Sequence, residues 1–207
     1  MVTQQVHRLA DLCEIISGPS GQQLRGLSTD IDGVPVVSPP DLTAEHNVDA
    51  RNIKRVPPET AASLARFQLQ EGDVIYVRQG TLGRRAVVGP TEARWLFGAA
   101  CLRIRPRTDA ILPEYILHYL GHPLIHEELI SQANRGQAVE TLTSRTLATT
   151  MVFVPDLARQ RAVVTALNKA AAQISAQRRL IAKYEALQLG LLTDLLSGAF
   201  DRHSTGR

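Results

Sequence analysis

The chain has 207 residues, 44% hydrophobic and 21% charged, with a formal net charge of +3. That length carries one good core with a helical appendage to spare, and the composition is globular rather than fibrous or disordered. No apolar run reaches the ~18–20 residues that cross a bilayer, and Met1–Cys13 lacks a signal-peptide core.

Two isolated cysteines, Cys13 and Cys101, form no motif and fit a reducing compartment, so the expected location is cytoplasmic, away from membranes. The basic residues are 20 Arg and 3 Lys. Arginine makes bidentate contacts with phosphate and guanine, so its distribution matters more than the net charge.

From the N-terminus, His7–Ile16 reads as one short amphipathic element with Leu9, Leu12, Cys13, Ile15 and Ile16 apolar. A polar loop from Ser17 to Arg25 follows, then a buried strand at Val34–Val37. Asp41–Pro58 is polar and rich in turns, and Thr60–Phe67 has a helical pattern. The segment Gly72–Val88 reads as strand, glycine loop, strand, with Arg78, Gln79, Thr81, Arg84 and Arg85 at the hairpin tip. A second hairpin is expected around Trp95 and Phe97, leading into Ala100–Arg105, which alternates with period two. Between Arg78 and Arg107 lie seven arginines and one acid, Glu92, a local field hidden by the overall charge.

Pro113–Leu129 is helical in pattern but broken at Gly121-His-Pro123. Ala133–Ala138 is a second glycine loop, Thr141–Thr150 is rich in Thr and Ser, and Val152–Pro155 is a short strand. From Leu157 to Ser197 the pattern is one long helix, about 60 Å at 1.5 Å per residue. Val163, Leu167, Ala170, Ile174, Gln177, Ile181, Tyr184, Gln188, Leu191 and Leu195 alternate steps of four and three, which sets them on one seam. Leu180, Leu187 and Leu192 widen it. Such a face must be covered, either by the chain's own domain or by another helix; the reading adopted is a dimerisation arm. Val163, Leu167, Ile174, Ile181, Tyr184, Leu191 and Leu195 are its expected interface residues. Gln177 and Gln188 fit a seam whose register is fixed by buried polar groups.

No catalytic constellation emerges. Gly80-Thr-Leu-Gly83 lies between strands, so it is a turn and not a nucleotide cradle. His118, His122 and His126 step by four near Glu127, but Pro123 interrupts the helix they would share. Asp30 and Asp32 are explained by the turn before Val34. No metal and no cofactor is expected. The loops instead mix Arg, Gln, Asn, Thr and Ser with glycine, the side chains that hold phosphates and read base edges. They contain no aromatic residue, which favours duplex DNA over stacking on single strands.

In order along the chain, several segments resemble a known family. These are Leu12-Cys-Glu-Ile-Ile-Ser-Gly18, Gly33-Val-Pro-Val-Val37, Gly72-Asp-Val-Ile-Tyr-Val-Arg78 with Gly80, Gly83 and Ala86, Pro113–Leu120, and Val154-Pro-Asp-Leu-Ala-Arg-Gln-Arg161. Together they are similar to the specificity subunits of Type I restriction–modification enzymes. The resemblance implies an α/β (α+β) mixed-sheet target recognition domain at residues 1–155 and a coiled-coil spacer helix at 156–200. A disordered tail at 201–207 completes the expected organisation. It also implies a non-catalytic subunit that reads half of a split DNA site and holds methyltransferase subunits, with an endonuclease subunit as a further partner. This chain has one recognition domain and one helix where the family has two of each, so a partner half is expected: a second copy or a different half. Arg159 stands where the family often has Glu.

The expected DNA contacts are Ser20, Gln22, Gln23 and Arg25 in the first loop. Arg78, Gln79, Thr81, Arg84 and Arg85 follow in the hairpin, with Asn134, Arg135, Gln137, Thr141 and Arg145 in the third segment. The rival reading is a protein-interaction adaptor whose helix recruits a partner without DNA readout.

Overall fold

The computed structural model describes residues 5–133 and 141–204, with side chains through residue 197. In chain order the strands and helices are β1 (Gln5–Arg8), α1 (Leu9–Leu12), β2 (Cys13–Ser17), β3 (Val34–Val37), β4 (Arg55–Val56) and α2 (Pro58–Ser63). Then come β5 (Val74–Val77), β6 (Arg85–Val87), β7 (Leu96–Phe97), β8 (Cys101–Pro106) and α3 (Pro113–Tyr119). The chain continues through α4 (Pro123–Ala133), α5 (Ser144–Ala148), β9 (Met151–Val154) and α6 (Leu157–Ser204).

The first compact unit is built on a four-stranded sheet of order β2-β8-β5-β6, antiparallel throughout. Its four-residue strand β5 is buried along its whole length, and alternation sends its side chains to opposite faces. Val74 and Tyr76 enter one core with Leu9, Ile116, Leu120, Leu147 and Val152. Ile75 and Val77 enter the other, with Val36, Leu42, Phe67, Leu96 and Phe97. A sheet covered on both faces gains hydrophobic burial twice, at roughly 1.5–3 kcal/mol per large aliphatic side chain. Two smaller sheets complete the unit: β4-β3-β7, and β1 paired antiparallel with β9.

Three sequence expectations change. His7–Ile16 is not one element: β1 pairs with β9, α1 makes a single turn, and β2 pairs with β8. These strand partners lie 85 to 149 residues away in sequence, and local pattern does not see them. The second hairpin is absent, because β7 pairs parallel with β3 while β8 joins β2 and β5. Helix α6 continues to Ser204, into the stretch expected as a disordered tail.

The first unit also runs past Pro155, through Val164. Gln160 explains this. Fully buried, its amide donates to the carbonyls of Ala110 (2.8 Å) and Pro155 (2.7 Å) and accepts from the Leu112 N–H (2.9 Å). One side chain thus satisfies three backbone groups and ties the first turns of α6 to this unit. From Thr165 the helix is a separate unit. Along it Leu167, Ile174, Ile181, Tyr184, Leu191 and Leu195 are 41–67% exposed, and Val163, just before it, is 39% exposed. No helix among the described residues is long and apolar enough to cross a membrane.

Candidate nucleic-acid interface

The antiparallel order of the sheet decides which loops meet. Strands β2 and β5 both end where β8 begins: Ser17 is registered with Leu102, and Val77 with Cys101. Just beyond, the Gly18 N–H donates to the Cys101 carbonyl (3.1 Å) and the Arg78 N–H to the Ala100 carbonyl (2.9 Å). The third segment docks on the hairpin. Gln79 and Thr141 form an antiparallel bridge, the Leu142 N–H donates to the Arg78 carbonyl (2.9 Å), and Arg78 Nε donates to the Leu142 carbonyl (3.0 Å). Residues 18–25, 78–84 and 141–145, far apart in sequence, therefore leave one end of the sheet. They contain Arg25, Arg78, Arg84 and Arg145 and no carboxylate.

The hairpin turns on glycine. Gly80 and Gly83 sit at φ of +83° and +85°, in the left-handed region that side chains rarely adopt. At Gly83 a Cβ would also strike the His126 ring. Leu82 packs against the first core, which leaves Gln79, Thr81 and Arg84 exposed at the tip. The first loop is anchored by Leu24, buried in the second core. Its Gln22 and Arg25 are exposed; Gln23 Oε1 accepts from the N–H (2.9 Å) and hydroxyl (3.2 Å) of Ser20. Arg145 is exposed on α5, and Thr143 caps that helix by accepting from the Thr146 N–H at 3.0 Å. Asn134, Arg135 and Gln137 lie outside the described residues.

Arg85 has an internal role instead of the expected outward one. Its Nε donates to the Leu117 carbonyl at 2.5 Å and an Nη to the Gly83 carbonyl at 2.8 Å. A methyl group at Gly121 would overlap its guanidinium. Burial lowers its pKa below the ordinary arginine value, with the Tyr76 phenol opposing. Arg85 therefore clamps the base of the hairpin against α3. Arg78 has its Nε committed to the Leu142 carbonyl, whereas Arg84 is exposed and, among the described residues, reaches the Leu42 carbonyl at 3.3 Å.

The arginine-rich stretch is also less of a surface field than its sequence suggests. Arg103, 2% exposed, donates to the carbonyls of Arg66 and Gln68 (3.0 Å each) and pairs with Glu14 (2.5 Å). Arg105 is held by Asp73 and by the Gln68 carbonyl. Period two carried the signal, because residues 103 and 105 share one face of a strand whose neighbours are buried. Thr60 and Ser63 of α2 line an open polar groove with Ser20, Gln22, Gln23 and Arg25. Sequence reading missed those two, since nothing local ties α2 to a loop 35 residues earlier.

Among the described residues no cluster of three or more metal-ligating side chains occurs. Burial pushes both thiols, Cys13 and Cys101, up to about 12, which keeps them protonated near neutral pH.

The chain matches the family described as the Type I restriction modification DNA specificity domain over residues 1–185, and it belongs to that family. Its fold is similar to a chain in a structure described as the structural basis underlying complex assembly and conformational transition of the type I R-M system. That match has 22% identity and a TM-score of 0.65, covering 88% of this chain and 42% of the other. The HsdS subunit from Thermoanaerobacter tengcongensis matches at 23% identity and a TM-score of 0.62, over 84% of this chain and 39% of that one. A Type-I restriction-modification S subunit from M. genitalium matches at 15% identity and 0.52, over 84% and 42%. The chain thus spans about two-fifths of the length of these solved chains. Among curated proteins there is no significant match.

Proposed function

We propose that this chain is a non-catalytic DNA-recognition subunit of a restriction–modification complex, reading duplex DNA with the loop end of its central sheet. The observation that carries this is the convergence of segments 18–25, 78–84 and 141–145 at one end, with four arginines and no carboxylate. Arg84, Arg25 and Arg145 serve the phosphates or guanine edges, and Gln22, Gln79 and Thr81 are exposed for base contacts. Two such chains, joined through their helices, present identical domains to two inverted half-sites separated by an unread spacer. A methyltransferase subunit is the partner that turns reading into modification, and an endonuclease subunit into cleavage.

Selection of bound sequences from random duplex DNA tests this, followed by titration of the selected site against salt. The expected outcome is a two-block palindrome, with affinity falling steeply as salt rises. Enrichment of no sequence, or of a single asymmetric block, defeats the reading.

A further inference from the structure

Ser20-Gly-Gln-Gln23 has the spacing of a capping box, a serine followed three residues later by glutamine. It folds as a single turn, in which the Gln23 N–H donates to the Ser20 carbonyl at 2.9 Å and the Leu24 N–H to the same oxygen at 3.3 Å. The Gln23 side chain reaches back, and its Oε1 accepts from the Ser20 N–H (2.9 Å) and hydroxyl (3.2 Å). A backbone N–H can only donate, so the amide atom that faces it must be the oxygen. That fixes the polarity of an otherwise two-faced amide. Gln23 is exposed, and its Nε2 hydrogens have no acceptor among the described residues. Gln22 beside it makes no side-chain bond among the described residues and can turn either way; Gln23 cannot.

The turn is held at both ends. Pro19 is buried, Leu24 enters the second core, and the Thr60 hydroxyl on α2 donates to the Arg25 carbonyl at 3.4 Å. A side chain held in place before binding loses little freedom on binding. On the far wall of the groove, the Ser63 hydroxyl donates to the Thr60 carbonyl at 2.7 Å. Carbonyls only accept, so both hydroxyls commit their hydrogens within the protein and offer lone pairs to the groove. Nitrogen donors thus line one wall and hydroxyl acceptors the other, with no carboxylate among the lining residues.

We propose, on the reading of this surface as one that faces duplex DNA, that Gln23 is a donor-only base reader. Its Nε2 meets a major-groove acceptor, guanine O6 or N7, adenine N7 or thymine O4, and rejects cytosine, whose groove edge offers only the N4 donor. The bidentate pair of glutamine with adenine needs the amide oxygen as well as the nitrogen, and Ser20 holds that oxygen. A phosphate would also accept from Nε2. The exposed Arg25 guanidinium, two residues away, competes for it with charge-assisted bonds roughly twice as strong. The base edge is what remains to a neutral donor.

Selection from random duplex DNA, run in parallel on the unmodified chain and on Gln23→Glu, tests the polarity. The glutamate keeps an oxygen for Ser20 and turns an acceptor outward where the donor was. One position of each half-site is expected to exclude cytosine about fivefold or more with the unmodified chain. With Gln23→Glu that position is expected to move toward cytosine, and the others to hold. An unchanged preference, or an even loss of affinity for every sequence, overturns the proposal. Should the added charge suppress selection altogether, Gln23→Met, neutral and of similar length, decides. A preference relaxed at that one position is expected, and an unchanged one overturns the proposal. Melting temperatures separate lost capping from lost reading, because a cap acts on stability and does not choose a base. An unmodified chain that selects no sequence removes the DNA reading itself; a selecting chain whose preference ignores Gln23 removes only the donor assignment.

Discussion

Arg105 grips Asp73 with two bonds of 2.7 Å, Nε to Oδ1 and an Nη to Oδ2, across the ends of two paired strands. The aspartate side chain is 1% exposed and the arginine 23%. Asp73 also accepts from the Gln70 N–H at 2.7 Å, closing the turn that starts β5. The two partners are therefore unequal. Arg105→Met strands a buried carboxylate and is expected to cost about 3 kcal/mol. Asp73→Asn keeps an acceptor for Gln70 and leaves an arginine that reaches water, so it should cost less. Urea midpoints of the two variants check the order, and a larger loss for Asp73→Asn refutes it.

The hairpin arginines separate by role. Arg84→Ala is expected to reduce the slope of log affinity against log salt by about 0.9, one phosphate's worth, with no change in melting temperature. Arg85→Ala removes both donors from the Leu117 and Gly83 carbonyls and is expected to destabilise the fold by about 2 kcal/mol. Joint replacement of Arg84 and Arg85 mixes the two effects. Calorimetry beside salt titrations resolves them, and an Arg85→Ala protein with unchanged melting would remove the clamp.

If two chains join through α6 as proposed, charges on its apolar face should separate them. Ile174→Asp with Ile181→Asp places carboxylates at two half-exposed apolar positions of the arm. The expected result is a monomer by light scattering, with binding to a full palindromic site lost and weak half-site binding kept. The first unit's melting transition should stay unchanged, because these positions lie beyond Val164.

His46 makes the fold sensitive to acid. Burial holds its imidazole below the ordinary 6.5, and the Arg85 guanidinium and His118 add to the depression. A hydrogen bond with the Arg85 backbone and the charge of Glu45 oppose it. The unfolded chain takes up this proton first. Its contribution is therefore complete above about pH 6.5 and is lost as pH falls below that toward the lower folded value. His46→Asn, which tolerates the +64° φ at this position, should flatten the dependence of stability on pH between 7 and 5. An equally steep profile in the variant counts against His46 as its source.

Much was legible in residue order alone. The long helix α6 was readable because apolar positions recurring every three or four residues mark helix, and β5 and the Gly80–Gly83 turn because strand alternation and glycine backbone are local properties. The Pro123 break likewise falls where ring geometry demands it, between α3 and α4. Tertiary structure alone decided which arginines are surface and which are mortar. Arg84 and Arg85 are adjacent and chemically identical, yet one stays exposed with a long 3.3 Å bond to the Leu42 carbonyl and the other closes on the Leu117 carbonyl, 32 residues away. It alone decided that β7 leaves β8 for β3, and that three remote loops share one end of a sheet. Such choices depend on which distant strand supplies the matching row of donors and acceptors, and closing those long loops gains its energy only when the whole sheet forms.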